Sequence, residues 1–272
     1  MVGLGGTARR GSAERRPGWD RFGRVVAQQW TTDTNGAVDH YTYTYDAASN
    51  RLTRTNALFG AYSEAYTYDG LNRLTDTDRN GQALQEWELD ALGNWSNFQD
   101  DTDGDGVYDV DQDREHNAAN EITAIDSSAG QLAHDPAGNM TRLPSALDGS
   151  ATQHAVYDAW NRLSAVYADD GDGTFEPGAG DALVASYEYD GQNRRIVKSV
   201  GSDDTDYYYN ENWQVVEERL GGDADPRSET IWDLRYIDSP VVRFHDANTD
   251  GDTLDPGDNV LYYTTDANFN VT

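Results

Sequence analysis

One short phrase recurs along almost the whole chain: an aromatic residue, Asp, two or three small residues, Asn, Arg and then Leu or Ile. Its clearest copies are Tyr45–Leu52, Tyr68–Leu74, Tyr157–Leu163 and Tyr189–Ile196. Weaker copies begin at Trp19, Leu89, His116, His134, Tyr209 and Thr265. Between residues 20 and 210, successive Asp positions of the phrase lie 18 to 32 residues apart. Such a period indicates a repeat architecture, in which each unit packs against its neighbours.

The residues around each phrase alternate between aromatic and polar side chains, which is the period of a β-strand. In His40–Tyr45, three tyrosines fall on one face and polar groups on the other. The small residues after each Asp have the composition of a turn, and a second strand pattern follows them. Each phrase is therefore predicted to form a β-hairpin. Successive hairpins are predicted to pair edge to edge in one coiled, all-β sheet.

The composition fits a folded protein whose natural partners are cations rather than nucleic acids or membranes. Only 37% of the 272 residues are hydrophobic, but 17 Tyr, 7 Trp and 6 Phe provide large surfaces for burial. The formal net charge of -29 repels nucleic acids and anionic membranes. The absence of cysteine excludes disulfides, Cys-ligated zinc and thiol catalysis. No apolar run approaches the roughly 18 residues needed to span a bilayer.

The two ends of the chain are interpreted differently from the repeats. Residues 1–18 carry four arginines among Gly and Ala but no apolar segment, so they are predicted to be a disordered leader rather than a secretory signal. Residues 19–272 are predicted to be the hairpin array, with acidic insertions near residues 100–113, 169–181 and 246–258. Both ends are expected to have been cut from a longer polypeptide.

The phrases resemble the YD repeats of the RHS family, which includes rearrangement hotspot proteins, tyrosine-aspartate repeat toxins of bacteria and the teneurin core. The resemblance covers roughly residues 19–272, and Ile231–Arg243 resembles the lead-in to the RHS-associated core. It implies a β-hairpin spiral that usually forms a hollow shell. In polymorphic toxins the shell encloses a toxic domain, and in teneurins it belongs to an adhesion ectodomain. The plug with its autoproteolytic site is not found in this sequence, so self-cleavage and toxicity are not expected of it.

Two functions remain open from this resemblance. The first is a non-enzymatic scaffold segment of a larger secreted or cell-surface bacterial protein, resembling the encapsulating shell of a polymorphic toxin. Its partners would be an encapsulated toxin domain and the rest of the longer polypeptide. The second is a surface adhesion or carbohydrate-binding module, stabilised by calcium, whose exposed Tyr and Trp would stack on a surface glycan. Either function predicts an extracellular or cell-surface location, although no signal peptide is visible.

The three acidic insertions indicate calcium. They hold 17 of the 49 acidic residues and no Lys or Arg. A D-x-D-x-D-G loop supplies oxygens at positions 1, 3 and 5 and a Gly at position 6 for the sharp turn. The first and third insertions fit this pattern, although both lack Glu at position 12. The candidate ligands of a structural Ca²⁺ are Asp101, Asp103, Asp105, Asp109, Asp113, Asp246, Asn248, Asp250, Asp252 and Asp258.

The middle insertion is the weakest match, because Ala168 occupies position 1 of its loop. A solvated acidic hairpin tip is the alternative interpretation of all three insertions. If calcium binds, comparison with extracellular calcium modules suggests a dissociation constant of about 10⁻⁴ to 10⁻³ M.

No arrangement of residues in the sequence indicates catalysis. Turn-forming Asp in the repeats explains most of the carboxylates. The five histidines show no H-x-x-x-H spacing, and His116 and His134, in the aromatic slot, are interpreted as packed strand residues. No Ser lies in a G-x-S-x-G elbow, and no phosphate-binding glycine loop is present. The chain is therefore predicted to be non-enzymatic, with stability from tyrosine stacking and from a ladder of Asp–Arg pairs between turns.

Overall fold

The structure, a computed structural model, is all-β, as the sequence predicts. It describes residues 18–32, 34, 36–126, 131–144, 152–234, 236–253 and 257–265. This part of the chain contains the short 3₁₀ turn Gly60–Tyr62 and no α-helix. It has no helix that is long and apolar enough to cross a membrane. The predicted leader lies outside the described residues except for Gly18, and so does the phrase that begins at Thr265, except for that residue.

Twenty strands account for most of the described residues. They are β1 (Ala27–Thr31), β2 (Ala37–Tyr45), β3 (Arg51–Asn56), β4 (Glu64–Tyr68), β5 (Leu74–Arg79), β6 (Gln82–Leu89), β7 (Trp95–Asp100), β8 (Val110–His116), β9 (Ile122–Ile125), β10 (Ala133–His134), β11 (Met140–Pro144), β12 (Thr152–Tyr157), β13 (Leu163–Ala168), β14 (Ala182–Tyr189), β15 (Arg195–Val200), β16 (Asp203–Tyr209), β17 (Val215–Leu220), β18 (Ser228–Trp232), β19 (Pro240–His245) and β20 (Asn259–Tyr262).

The strands pair with their neighbours in chain order, which confirms the prediction of successive hairpins. They form two antiparallel sheets, one from β1 to β9 and the other from β10 to β20. The chain divides into two compact units, one mainly Met1–Asp113 with Thr264–Asn270 and the other mainly Arg114–Tyr263. Because successive strands alternate in direction, the phrase turns of each sheet lie at one edge. The other connections lie at the opposite edge.

Each phrase forms a tight turn that is closed by its Asp. In the first unit, Asp69 Oδ1 accepts the N–H of Leu71 and of Arg73 at 2.8 and 2.9 Å. Arg73 Nε donates to the second oxygen at 2.7 Å, and Asn72 has a φ of 62°, which Asn tolerates. The fourth residue after the Asp likewise donates to the carboxylate in the turns of Asp20, Asp46, Asp90, Asp135, Asp158 and Asp190.

Consecutive turns are interlocked by the tyrosine and arginine of the phrase. The Tyr189 hydroxyl donates at 2.7 Å to the carbonyl of Leu163, the first residue after the preceding turn. Arg162, the last residue of that turn, lies over the Tyr189 ring at 4.7 Å and donates to the carbonyl of Asp190 at 3.3 Å. The same hydroxyl tether joins Tyr45 to Val25, Tyr68 to Arg51, Tyr157 to Met140 and Tyr209 to Arg195.

The predicted ladder of Asp–Arg pairs between turns is wrong in its partners. The ion pairs lie within a turn, as in Asp158 with Arg162 at 2.6 Å, because the side chain four residues on reaches the carboxylate that its own N–H approaches. Arg51 does not belong to this set. In its turn Asn50 is the fourth residue after Asp46 and donates to that carboxylate. Arg51 lies in β3 over the Tyr43 ring at 4.8 Å.

Few side chains are fully buried, so the backbone ladder and the inter-turn contacts carry much of the stability. The buried hydrophobic residues are Tyr41, Tyr43, Phe98, Val110, Ala124, Ala155, Ala185 and Val242. The rings of Tyr41 and Tyr43 stack at 6.3 Å, as predicted for β2. Other phrase tyrosines, such as Tyr189 and Tyr209, pack under arginines instead. Cation–π contacts of this kind contribute about 0.5–1 kcal/mol each at exposed sites.

One repeat is not evident from the sequence, because a tryptophan replaces its tyrosine. Trp232 ends β18, and its Nε1 donates at 2.8 Å to the carbonyl of Val215, the position that accepts a tyrosine tether in other repeats. The N–H of Asp233 donates to the carbonyl of Ser239, so this turn is longer than the others. An indole N–H therefore replaces the phenol, inside the segment interpreted as a lead-in.

Candidate functional site

The three acidic insertions lie at the edge opposite to the phrase turns. Residues 101–109 connect β7 to β8, residues 169–181 connect β13 to β14, and residues 246–258 connect β19 to β20. Another connection at this edge, Asn80–Gly81 between β5 and β6, has only two residues. The insertions therefore lengthen the loops at one edge of each sheet. The phrase turns at the opposite edge keep their contacts.

In the first insertion, the structure brings three of the five predicted ligands together. One carboxylate oxygen each from Asp101, Asp103 and Asp109 lies within 4.8 Å of the other two. Asp101 is buried and accepts the N–H of Gly104 at 2.7 Å, so the loop backbone is wrapped around its carboxylate. The hydroxyl and N–H of Thr102 donate to Asp109 and lower the pKa of that carboxyl group.

The other two predicted ligands of this insertion lie apart from the three. Asp105 Oδ1 accepts the N–H of Val107 at 2.8 Å. Asp113 lies within β8, where Asn97 Nδ2 donates to its carboxylate at 3.1 Å. The slot that was expected to complete a calcium loop is therefore part of a strand.

In the third insertion, the predicted ligands mainly form hydrogen bonds within the loop. Asp246 is buried and accepts the N–H of Thr249 and of Gly251. The remaining predicted ligands take part in loop hydrogen bonds, namely Asn248, Asp250, Asp252 and Asp258. Residues 254–256 lie outside the described residues. In the described part of this loop, no three acidic or histidine side chains come as close together as in the first insertion.

The middle insertion, the weakest match to a calcium loop, has the most buried carboxylates. Asp169 accepts the Thr152 hydroxyl and the Arg142 guanidinium, both at 2.6 Å. These donors, the Thr152 hydroxyl first, hold the pKa of Asp169 well below its usual value. Asp181 is also buried, and its two oxygens accept backbone N–H groups of the insertion. The two carboxylates therefore fix both ends of the insertion.

His154 lies beside these two carboxylates and was not singled out from the sequence. Its Nε2 atom is 3.5 Å from Asp169 Oδ2 and 3.9 Å from Asp181 Oδ2. The Phe175 ring of the insertion covers the imidazole, with ring centroids 5.2 Å apart, and also contacts Tyr167. Because the three polar residues lie in separate stretches, no spacing in the sequence reveals the cluster. The only signal was the acidic insertion itself.

The exposed apolar and aromatic groups of the described surface include two sets that could contact a ligand. The second residue after the Asp of a phrase turn faces solvent, and in four turns it is Phe22, Leu71, Leu92 or Trp160. A shallow cleft in the second unit is lined by amide and aromatic side chains, among them Asn210, Gln214, Trp232 and Tyr236. Flat rings beside amide groups are chemically suited to contact a sugar.

Comparisons with known proteins agree with the repeat geometry. A family model described as RHS Repeat matches residues 19–58, which contain the turns of Asp20 and Asp46. A solved structure of the Photorhabdus luminescens Tc holotoxin pore shares the fold, with a TM-score of 0.59 over 91% of this chain at 14% identity. By the family-model match, the chain contains an RHS repeat at residues 19–58. The phrase turns after residue 58 have the same hydrogen bonds, so the same turn geometry continues along the described residues.

The relatives are much longer than this chain. The chain also matches the tRNA3(Ser)-specific nuclease WapA of Bacillus spizizenii, at 26% identity over 192 residues. That match covers 69% of this chain but 7% of WapA, and the holotoxin match covers 13% of that chain. The chain thus spans a small part of each relative.

Proposed function

We propose that the chain is a non-enzymatic wall segment of a larger secreted or cell-surface bacterial protein, in which it encloses a toxin domain. The observation that carries this proposal is the interlocking of consecutive turns. Five hairpins are attached to the preceding one by a tyrosine hydroxyl, such as Tyr189 to Leu163. Three arginines, such as Arg162 to Asp190, also join one turn to the next. Hairpins joined in this way extend a sheet, and an extended sheet suits a wall better than a pocket.

The kinds of protein that this chain matches support the proposal. One is a toxin pore assembly and the other a nuclease, and in both the matched part is a small share of a long chain. A repeated β scaffold is well suited to hold or surround a separate active domain, because its stability does not depend on that domain. The enclosed domain would be the partner of this chain.

The test uses the complete gene product that contains this chain. We expect the flanking coding sequence to specify further repeats and a separate domain, and we expect that domain to resist protease in the complete protein. Replacing Asp158 and Asp190 by Ala weakens two wall turns and should expose the domain to protease. The matched control is Asp172→Ala, in the exposed part of the middle insertion. Equal digestion in the wild-type and wall-variant proteins would contradict enclosure.

The proposal that the chain is not catalytic is tested with tRNA, the substrate in the name of the matched nuclease. The purified chain is expected to leave tRNA intact with and without Mg²⁺, because its net charge of -29 repels RNA. Cleavage that persists through repeated purification would contradict a purely structural role.

A second candidate function is binding of a surface glycan, which the exposed rings and the cleft favour. Tyr236 in the cleft and Trp160 at a turn tip are the residues to change to Ala, with Tyr62 on the 3₁₀ turn as an exposed control. In this case binding to a glycan array should be lost in the first two variants and kept in the Tyr62→Ala variant. Absence of any bound glycan would eliminate this candidate.

We also propose that the first insertion binds Ca²⁺ and that the third does so more weakly. Calcium at several millimolar should raise the melting temperature, since an ion that binds only the folded state stabilises it. The double variant Asp103→Asn, Asp109→Asn should abolish this gain. Asp111→Asn, on the neighbouring strand, should keep it. A melting temperature that calcium does not change would exclude the site.

A further inference from the structure

Three potential metal ligands from separate stretches converge at one end of β12, β13 and β14. His154 lies in β12, Asp169 follows β13 directly, and Asp181 directly precedes β14. One ligand atom from each lies within 4.8 Å of the other two. The exposed fractions of the three side chains are 7%, 0% and 1%, so the cluster is shielded from bulk water.

The imidazole Nε2 atom distinguishes this cluster from an ordinary acidic loop. The atom is buried, and no residue in the described part of the chain forms a hydrogen bond with it. Buried polar atoms in folded proteins nearly always have a partner. Nε2 is directed at two carboxylates, so the partner that fits is one that binds nitrogen and anionic oxygen together.

The distances favour a metal ion over a proton in that position. A protonated imidazole that bonds a carboxylate directly lies about 2.7–2.9 Å from its oxygen, whereas Nε2 is 3.5 and 3.9 Å from the two oxygens. Nitrogen and oxygen ligands at about 2.0–2.2 Å around one tetrahedral ion lie about 3.4 Å from each other. The separation of His154 Nε2 from Asp169 Oδ2 is close to this value, and that from Asp181 Oδ2 is slightly longer.

Charge and ligand chemistry indicate the class of ion. Asp169 and Asp181 carry two negative charges, and the Arg142 guanidinium pairs with Asp169, which leaves a net charge of -1 among these three side chains. Asp170 and Asp172 lie close to Asp169 and add to the negative potential that a divalent cation would neutralise. Asp169 Oδ2 also accepts the Arg142 guanidinium, which holds this carboxylate in place beside His154 Nε2. An imidazole ligand favours Zn²⁺ and similar transition ions, whereas Ca²⁺ prefers oxygen alone.

We propose that His154, Asp169 and Asp181 bind one divalent transition cation, represented by Zn²⁺, which attaches the middle insertion to β12. Three protein ligands leave a further position for water or another ligand. The site is separate from the acidic calcium candidates of the first and third insertions, and it does not depend on the wall function. The ion would fix the Phe175 lid over His154 by holding both ends of the insertion.

The test is calorimetric titration of the folded chain with Zn²⁺, in buffer that contains millimolar Ca²⁺ to occupy the acidic loops. One Zn²⁺ per chain is expected to bind with micromolar affinity or tighter. His154→Gln and Asp181→Asn should each weaken binding by at least about 10-fold. His116→Gln is the matched control, because His116 lies in β8 outside the cluster, and it should bind as the wild-type chain does.

Two results would overturn the proposal. One is a wild-type chain that takes up no Zn²⁺ at several hundred micromolar, and the other is a folded His154→Gln variant that binds Zn²⁺ as the wild-type chain does. If that variant does not fold, the imidazole NMR signals of His154 in the wild-type chain decide instead. A shift on addition of Zn²⁺ supports the site, and an unchanged signal overturns it.

Discussion

At the residue scale, the third position after each Asp decides whether a turn is strained. Trp213 has a φ of 65°, where most other turns have Asn or Gly. Asn occupies the equivalent position at Asn72, Asn120, Asn161 and Asn193. The left-handed region costs most L-residues about 1–2 kcal/mol, and Asn is one of the residues that tolerate it. The exposed indole of Trp213 recovers little of this cost by burial.

Replacing Trp213 by Asn is therefore expected to stabilise the protein. The free energy of unfolding, measured by urea denaturation, should rise by about 1 kcal/mol because the strain is relieved. Trp160→Asn is the control, since Trp160 is an exposed tryptophan at the tip of another turn. A gain of equal size in both variants would show that the effect comes from removing tryptophan and not from the backbone.

The tyrosine hydroxyl is the second decisive group at this scale. Tyr189→Phe removes the hydrogen bond to the carbonyl of Leu163 and keeps the ring under Arg162. The expected loss in the free energy of unfolding is about 1 kcal/mol. Tyr262→Phe should change nothing measurable, because Tyr262 is 80% exposed. Equal unfolding curves for Tyr189→Phe and the wild-type chain would show that the tether does not contribute to stability.

At the element scale, the turn is defined by its hydrogen bonds and not by one sequence of letters. The turn of Asn117 shows this, because its Oδ1 accepts the N–H of Ala119 and of Glu121, as an Asp would. Its Nδ2 then donates to the Glu121 carboxylate at 2.6 Å, so donor and acceptor are exchanged between the first and fifth residues of the turn. Complementarity between those two side chains is the requirement.

This exchange predicts a rescue experiment at Asp158 and Arg162. Asp158→Asn alone should lower the melting temperature by a few degrees, because its amide N–H would face the Arg162 guanidinium. Adding Arg162→Glu should restore part of the loss by creating the arrangement of Asn117 and Glu121. A double variant that melts below both single variants would show that the exchanged pair is not transferable. Arg162 also contacts the next turn, so full recovery is not expected.

At the scale of the whole molecule, the alternating direction of the strands places the phrase turns and the variable loops at opposite edges of each sheet. The phrase turns at one edge of each sheet hold the hairpins together, while the opposite edge carries loops of very different length. An insertion such as residues 169–181 can therefore build a buried cluster without breaking a tether. Both the calcium and the transition-metal proposals concern this variable edge.

The same repeats predict how stability depends on pH. Hydrogen bonds within each turn lower the pKa of its Asp. At Asp69 and Asp190 the largest cause is the backbone N–H of the arginine four residues later. Their stabilising effect is present above the unfolded pKa of about 3.9 and is lost as the pH falls through the lower folded values. The melting temperature is therefore expected to fall steeply below about pH 4.

The tyrosines give the opposite limit. Burial raises the pKa of the tethering residues Tyr68, Tyr157, Tyr189 and Tyr209. Their effect is present below the unfolded pKa of about 10 and is lost as the pH rises through the higher folded values. A melting curve series should thus show a second decline above about pH 10. A decline that begins near neutral pH would contradict this explanation.

The sequence by itself determined the hairpins and the turn at each phrase, because those depend on contacts within a few residues. Asp69 and Arg73 are four residues apart, so the turn itself brings them into contact. The contacts of arginines with the next turn, the Trp232 repeat and the cluster of His154 with Asp169 and Asp181 were decided only by the tertiary structure. Those contacts join residues on different strands, and strand pairing alone sets their separation, so no local spacing in the sequence can indicate them.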